Sequence, residues 1–246
     1  MKKRVLAIII LIFIASCSNG NKESKMNGID KNQDVRKVER FNFEATKGGT
    51  KDALFKQEEW MIEIGVTSKY QIKYAPAKEF YEIYTSYNQN GNIRLRGKYL
   101  ANLPFGVWEY FDESGRPVKT VDEDAKFGKV KPADIVAFME RQGIFNRETG
   151  ESIFFDKPLP TDGTFYREIA VKLDIGLVQE KDIIPEYKAN IATRKKLRME
   201  RYDKENKFIP VWYVSYRIGI EITTYYIDGN DINNFFMSKD TYNYTL

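Results

Sequence analysis

From Trp60 onward the apolar residues fall largely at period two: Met61, Ile62, Ile64 and Val66, then Tyr70, Ile72 and Tyr74, then Phe80, Tyr81, Ile83, Tyr84 and Tyr87. β-Branched and aromatic residues between breaks at Gly65, Ser68 and Pro76 predict strands. The period changes at Lys131-Pro132-Ala133-Asp134, where Ile135, Val136, Phe138 and Met139 make an apolar helical stripe. Proline suits the first turn and an acid its positive end, so a helix is predicted to Gln142, closed by Gly143. Phe145 and Ile153 to Phe155 flank Asn146 to Gly150 as a hairpin, and Pro158 to Gly163 reads as a loop. Phe165, Ile169, Val171, Leu173, Ile175 and Leu177 fit a strand or a helix, and periodicity leaves both open. A polar stretch from Glu186 to Arg201 predicts a helix. Phe208 to Ile218 and Ile220 to Ile227 predict two strands joined near Gly219, followed by an Asp228-Gly229-Asn230-Asp231 turn. The fold class is α+β, dominated by antiparallel sheet, with a β-rich domain over 41–124 and an α+β domain over 125–246.

One stretch repeats. Tyr87-Asn88-Gln89-Asn90-Gly91 returns 24 residues later as Phe111-Asp112-Glu113-Ser114-Gly115, with Gly97-Lys98-Tyr99 and Trp108-Glu109-Tyr110 between the copies. A glycine-closed turn, Gly-x-Tyr, a second turn and Trp-x-Tyr resembles the MORN-variant repeat family, the YwqK-type antitoxin repeats, over about 40 residues. The resemblance implies that each unit is a β-hairpin. Asn90-Gly91 agrees, because a tight hairpin turn needs positive φ. Two copies are fewer than a stacked solenoid needs, and Ala101-Asn102-Leu103 replaces the usual Asn-Gly turn, so the meander is expected to continue the upstream sheet. Near the end, Pro210-Val211-Trp212-Tyr213-Val214 and Tyr225-Tyr226-Ile227-Asp228-Gly229 resemble the strand ends of the PepSY-type module, without its Thr-Gly turn.

The N-terminus carries an address. Lys2, Lys3 and Arg4 precede an apolar run from Val5 to Ile14 and then Ala15-Ser16-Cys17. A run of about ten is shorter than the roughly 20 residues that span a bilayer, and its order of regions is that of a signal peptide, here 1–16. Ile14-Ala15-Ser16-Cys17 resembles the bacterial lipobox, which implies cleavage before Cys17 and acylation of its thiol and new amine. Two or three chains, each contributing about 0.8 kcal/mol per buried methylene, anchor firmly. The expected partner is therefore the lipid bilayer, through acylated Cys17. Residues 17–40 are Asn-, Lys-, Glu- and Ser-rich and read as a flexible tether. Ser18 is not the aspartate of an inner-membrane retention signal, which favours the outer membrane and leaves the leaflet open.

Composition then narrows the chemistry. The 246 residues, 42% hydrophobic and 30% charged, are enough for one large or two small domains. Histidine is absent and Cys17 is the lone cysteine, so Ser-His-Asp catalysis, His-ligated zinc and an intramolecular disulfide are excluded. No Gly-x-Ser-x-Gly, Ser-x-x-Lys, Walker or Gly-x-Gly-x-x-Gly motif occurs. The formal charge of +4 falls to +1 once Lys2, Lys3 and Arg4 are removed, so the basic balance does not point to nucleic acid. No catalytic residue, metal or cofactor is assigned.

Three charged clusters read as structural. Asp122, Glu123 and Asp124 form a solvated loop. Asp228, Asn230 and Asp231 lack the alternating spacing of a calcium loop. Arg194, Lys195, Lys196, Arg198 and Arg201 make a solvated helix face, whose alternative is an acidic partner or anionic lipid.

Aromatics make up 14% of the chain, and strand alternation leaves some tyrosines outward. Tyrosine on a rigid sheet offers contact area at low entropic cost. The candidate binding surface is Tyr87, Arg94, Arg96, Tyr99, Trp108 and Tyr110. The expected role is a membrane-anchored, protein-binding envelope lipoprotein, of immunity or antitoxin type by the repeat resemblance, and not an enzyme. A structural or assembly lipoprotein and a carboxylate-dependent hydrolase are the alternatives.

Overall fold

The computed structural model describes residues 38–178 and 210–241. The signal sequence, Cys17, most of the tether, and the Glu186 to Arg201 segment with its basic run lie outside the described residues. Seven strands follow one another as an antiparallel meander: β1 (Ala53–Gln57), β2 (Trp60–Gly65), β3 (Tyr70–Tyr74), β4 (Glu82–Tyr87), β5 (Ile93–Leu100), β6 (Leu103–Phe111) and β7 (Pro117–Asp122). Helices α1 (Pro132–Arg141) and α2 (Gly163–Ala170) come next. Then β8 (Leu173–Val178), β9 (Val211–Ile218), β10 (Glu221–Asp228) and β11 (Asp231–Thr241) form a second antiparallel sheet in the order β11-β10-β9-β8. The described chain is thus mostly antiparallel sheet with two α-helices, as the sequence pattern indicates.

The repeat is visible as geometry. In the first copy Gly91 N–H donates to the Asn88 carbonyl at 2.9 Å, and in the second Gly115 N–H donates to Asp112 at the same distance. Both glycines have positive φ, near 80°. The turns stack, because the side-chain amides of Asn90 and Asn92 both donate to the Glu113 carbonyl. At the opposite end of the hairpin, Ala101 takes φ +51° without being glycine. The neighbouring Asn102 accepts the Ile175 N–H at 2.9 Å and donates to Asp174 at 2.8 Å. The departure from an Asn-Gly turn is where the meander docks onto β8.

The helices form for local reasons. In α1, Lys131 N–H donates to Asp134 at 2.8 Å, and the stripe Ile135, Val136, Phe138 and Met139 is buried. Gly143, at φ +69°, ends it. The ambiguous stretch after Pro160 divides in two: Asp162 caps α2 by accepting Thr164 N–H at 2.8 Å, Phe165, Tyr166 and Ile169 bury one helix face, and a turn leads into β8.

One large core joins Tyr74, Phe80, Leu100 and Leu103 to Phe127, Ile135, Phe165 and Trp212, so residues on both sides of position 125 fill it. A smaller core of Phe41, Ile62, Ile64, Tyr87 and Ile93 lies on the other face of the meander. Several details differ from the sequence pattern, among them β11, which follows the Asp228 turn where the pattern placed no strand. β1 precedes the Trp60 onset of alternation. Phe80, taken as part of a strand, sits before β4 at φ +51°, buried in the large core. Residues 38–40, taken as tether, already lie along the sheet: Arg40 bridges Asn92 and the Glu39 carbonyl accepts the Ile93 N–H.

Candidate functional site

Register assigns each strand residue to a face. Glu63 pairs with Ile72, Ile72 with Tyr84 and Tyr84 with Gly97, while Tyr74 pairs with Glu82 and Glu82 with Tyr99. Directly opposed residues share a side of the sheet. This face therefore carries Glu63, Tyr70, Tyr74, Glu82, Tyr84 and Tyr99. Its rings run across four strands: Tyr70 stacks on Tyr84 at 6.2 Å, Tyr84 meets Tyr99 edge-on at 6.1 Å, and Tyr99 meets Trp108 edge-on at 5.0 Å.

Trp108 joins this row because β6 bulges. The β5–β6 pairing slips between Arg96 and Lys98, and Gly106 takes φ +67°. The indole then lies over Gly97, where an added Cβ would overlap it. The acidic trio braces the bulge instead of being loosely solvated. Asp124 accepts Gly106 N–H at 2.7 Å, Asp122 caps a short 3-10 turn, and Glu123 pairs with Lys126, which also donates to the Pro104 carbonyl.

The six residues of the candidate surface do not form one patch. Tyr99, Tyr110 and Trp108 share the aromatic face, and Arg94 joins them, its Nε donating to Ser86 Oγ at 3.1 Å beside the β4–β5 bulge. Tyr87 and Arg96 lie on the opposite face. Tyr87 is only 6% exposed, packed edge-on against Phe41 with its hydroxyl donating to Glu39. Arg96 spans Glu109 at 2.7 Å and Glu39 at 2.9 Å. Both serve to hold the segment around Phe41 onto the sheet. Trp108, also 6% exposed, supports Tyr99 and offers little area of its own.

The same face holds residues that the repeat motif did not single out. The Glu63 carboxylate accepts the hydroxyls of Tyr70 at 2.9 Å and Tyr74 at 2.8 Å, and Arg167 of α2 lies 3.7 Å from it. Burial and these bonds push the Tyr70 phenol up to about 12, and burial raises Tyr74 and Tyr99 as well. All are neutral phenols at ordinary pH. Glu82 is partly buried, makes no hydrogen bond or ion pair with a described residue, and is pushed up to about 7 by burial and by repulsion from Glu63. Strand alternation puts Glu82 and Tyr84, two residues apart, on one face, but nothing in the sequence marks this acid among the chain's 35 acidic residues.

A separate cleft of about 940 Å³ is lined by Glu59, Lys78, Glu140, Arg147, Glu151 and their neighbours. Both of its basic residues are paired with acids of its own lining. Arg147 binds both oxygens of Glu140 and the Lys78 carbonyl, and Lys78 lies 3.8 Å from Glu59. In the Asp228 turn the acceptors are taken by the protein itself, Asp228 accepting Asn230 N–H at 2.7 Å and the Gly229 carbonyl accepting Val130 N–H at 2.7 Å. Among the described residues no helix is long and apolar enough to cross a membrane.

Comparison of the chain with protein-family models, curated proteins and solved structures finds no match. The reading of the aromatic face rests on its own geometry.

Proposed function

We propose that this chain is a lipid-anchored bacterial envelope protein that binds a protein partner through the aromatic face of its seven-stranded meander. The observation that carries the reading is the row Tyr70, Tyr84, Tyr99 and Trp108, fixed across four strands and flanked by Tyr110 and Arg94. Rings locked by cross-strand contacts lose little freedom on binding. The lipobox-like Cys17 would hold the body near a membrane, with the tether giving it a reach of some tens of ångströms. The repeat resemblance favours an immunity role, in which the partner is an incoming toxin. Attachment of other envelope components is the same chemistry with a resident partner.

A hydrolase reading is favoured by one observation, the raised carboxyl of Glu82 near Glu63. Against it, both oxygens of Glu63 already accept tyrosine hydroxyls, which fits a fixed structural carboxylate better than a mobile acid or base.

The test is a crosslinked capture from the protein's own membranes, with Cys17→Ala as the soluble control. One dominant partner, lost with Tyr84→Ala and Tyr99→Ala and retained with Val118→Ala on exposed β7, is the expected result. Equal capture by all variants would remove the face from the interaction. Membrane release of Cys17→Ala is expected in the same experiment, and its retention would remove the lipid anchor.

A further inference from the structure

Glu82 stands in direct register between Tyr74 of β3 and Tyr99 of β5, at the end of the face where α2 crosses it. The Tyr166 hydroxyl of α2 donates to the Tyr99 carbonyl, and its ring lies 6.3 Å from that of Tyr74. Glu82 is therefore surrounded by phenol rings while part of it still meets solvent. A carboxylate taken out of water without a partner is unfavourable, and natural proteins almost always pair such a group. Here none of the described residues does so.

The charge acting on Glu82 is that of Glu63 on β2, and the titratable rings that feel Glu82 are Tyr74, Tyr99 and Tyr166. Arg167 is already shared between Glu63 at 3.7 Å and Glu168 at 2.8 Å. The local balance is negative, and the ionised Glu82 carboxylate is an acceptor only. Tyr84 and Tyr99 meet at 77°, so the pair presents a ring face as well as a ring edge beside this carboxylate. Ring faces attract cations, most strongly where water is partly excluded.

We propose that Glu82, Tyr84 and Tyr99 form a receptor for one basic side chain, a lysine ammonium or an arginine guanidinium, presented by the protein partner. The inference rests on the protein-binding reading of this face and adds the chemistry of its anchor. The cation would neutralise Glu82 and lie against the rings, replacing the missing partner by a charge-assisted hydrogen bond.

The experiment uses the full chain as Cys17→Ala and a fluorescent lysine heptapeptide, with a glutamate heptapeptide and an N-acetylglucosamine tetramer as comparisons, at fixed ionic strength. Saturable binding of the lysine peptide is expected at pH 8. It should weaken about tenfold in Glu82→Gln and in Tyr99→Leu, and remain unchanged in Glu113→Gln on the exposed repeat turn. Near-UV circular dichroism establishes that each variant is folded, and Glu82→Gln preserves the side chain's shape. Equal lysine-peptide binding by Glu82→Gln and wild type would overturn the proposal, as would preference for the tetramer. The two readings fail separately. A membrane partner lost with Tyr99→Ala but kept with Glu82→Gln leaves the protein-binding face and removes the cation anchor. Glu82-dependent lysine-peptide binding with no captured partner does the reverse.

Discussion

The Tyr166 hydroxyl accepts the backbone N–H of Ala101 at 2.7 Å and donates to the carbonyl of Tyr99 at 3.1 Å. A fully buried side chain on α2 thereby satisfies two backbone groups at the β5–β6 turn, one of them belonging to Tyr99 of the aromatic face. Tyr166→Phe keeps the ring and removes both bonds. Leaving the Ala101 amide without its acceptor should cost about 1–3 kcal/mol, measured by urea denaturation with the m-value unchanged. Stability equal to wild type would mean that water replaces the hydroxyl there.

Asn102 makes the matching contact on the other side of the same turn, through Ile175 N–H and Asp174. Asn102→Ala should lower stability by about 1–2 kcal/mol. Ala101→Gly acts in the opposite direction, because φ +51° disfavours any side chain. Its expected effect is neutral to about 1 kcal/mol stabilising. Thermal unfolding of the two variants should therefore shift to opposite sides of wild type, and a shared downward shift would exclude strain at Ala101.

Gly97 is a packing requirement, since its φ is ordinary and the obstacle to a side chain is the Trp108 indole. Gly97→Ala should displace that ring, with a cost of about 1–3 kcal/mol and a red shift of tryptophan emission as the indole meets water. The displaced ring would also free Tyr99 from its edge-on contact at 5.0 Å. Unchanged emission together with unchanged stability would show that the bulge can absorb a methyl group.

The meander from β2 onward was legible because its signals are local: alternation, turn glycines and a repeated motif each specify neighbouring residues. Helix α1 was legible through Pro132 and its apolar stripe. Helix α2 was not, because Phe165 to Leu177 mixes a helical turn and a strand within one apolar run, and only the Asp162 cap and tertiary burial separate them. The site was half legible. Alternation gives the relative sides of residues within a strand, but the β4–β5 and β5–β6 bulges shift the register. Alternation alone separates Arg96 from Tyr99, three residues apart on β5, whereas the β4–β5 bulge at Arg94 sets Arg94 apart from Arg96, two residues on. Nothing local to Tyr87 announces that Phe41 and Glu39 will cover it, and Glu82 becomes distinctive only once Tyr74, Tyr99 and α2 surround it.

Glu82 makes the pH dependence of stability specific. Its carboxyl is raised from an ordinary 4.5 to about 7 in the folded state by burial, with Glu63 adding to the shift. Between those values the folded protein holds the proton more tightly than the unfolded chain, so stability is greatest below about pH 4.5 for this group and declines as pH rises through 7. After allowing for solvent at its exposed edge, the loss by pH 8 is about 2 kcal/mol. Few other groups interfere, because the chain has no histidine. Glu140 is held below the usual carboxylate range by its Arg147 bond, so its contribution is lost only in more acid solution, as pH falls through its folded value. Asp162 behaves likewise: burial opposes its ionisation, but the bonds from Lys56 and Thr164 outweigh it. Urea titrations of the Cys17→Ala chain at pH 5 and pH 8 should show wild type less stable at pH 8, whereas Glu82→Gln should be nearly flat over that range and more stable than wild type at its upper end. A slope that survives Glu82→Gln would assign the titration to another group.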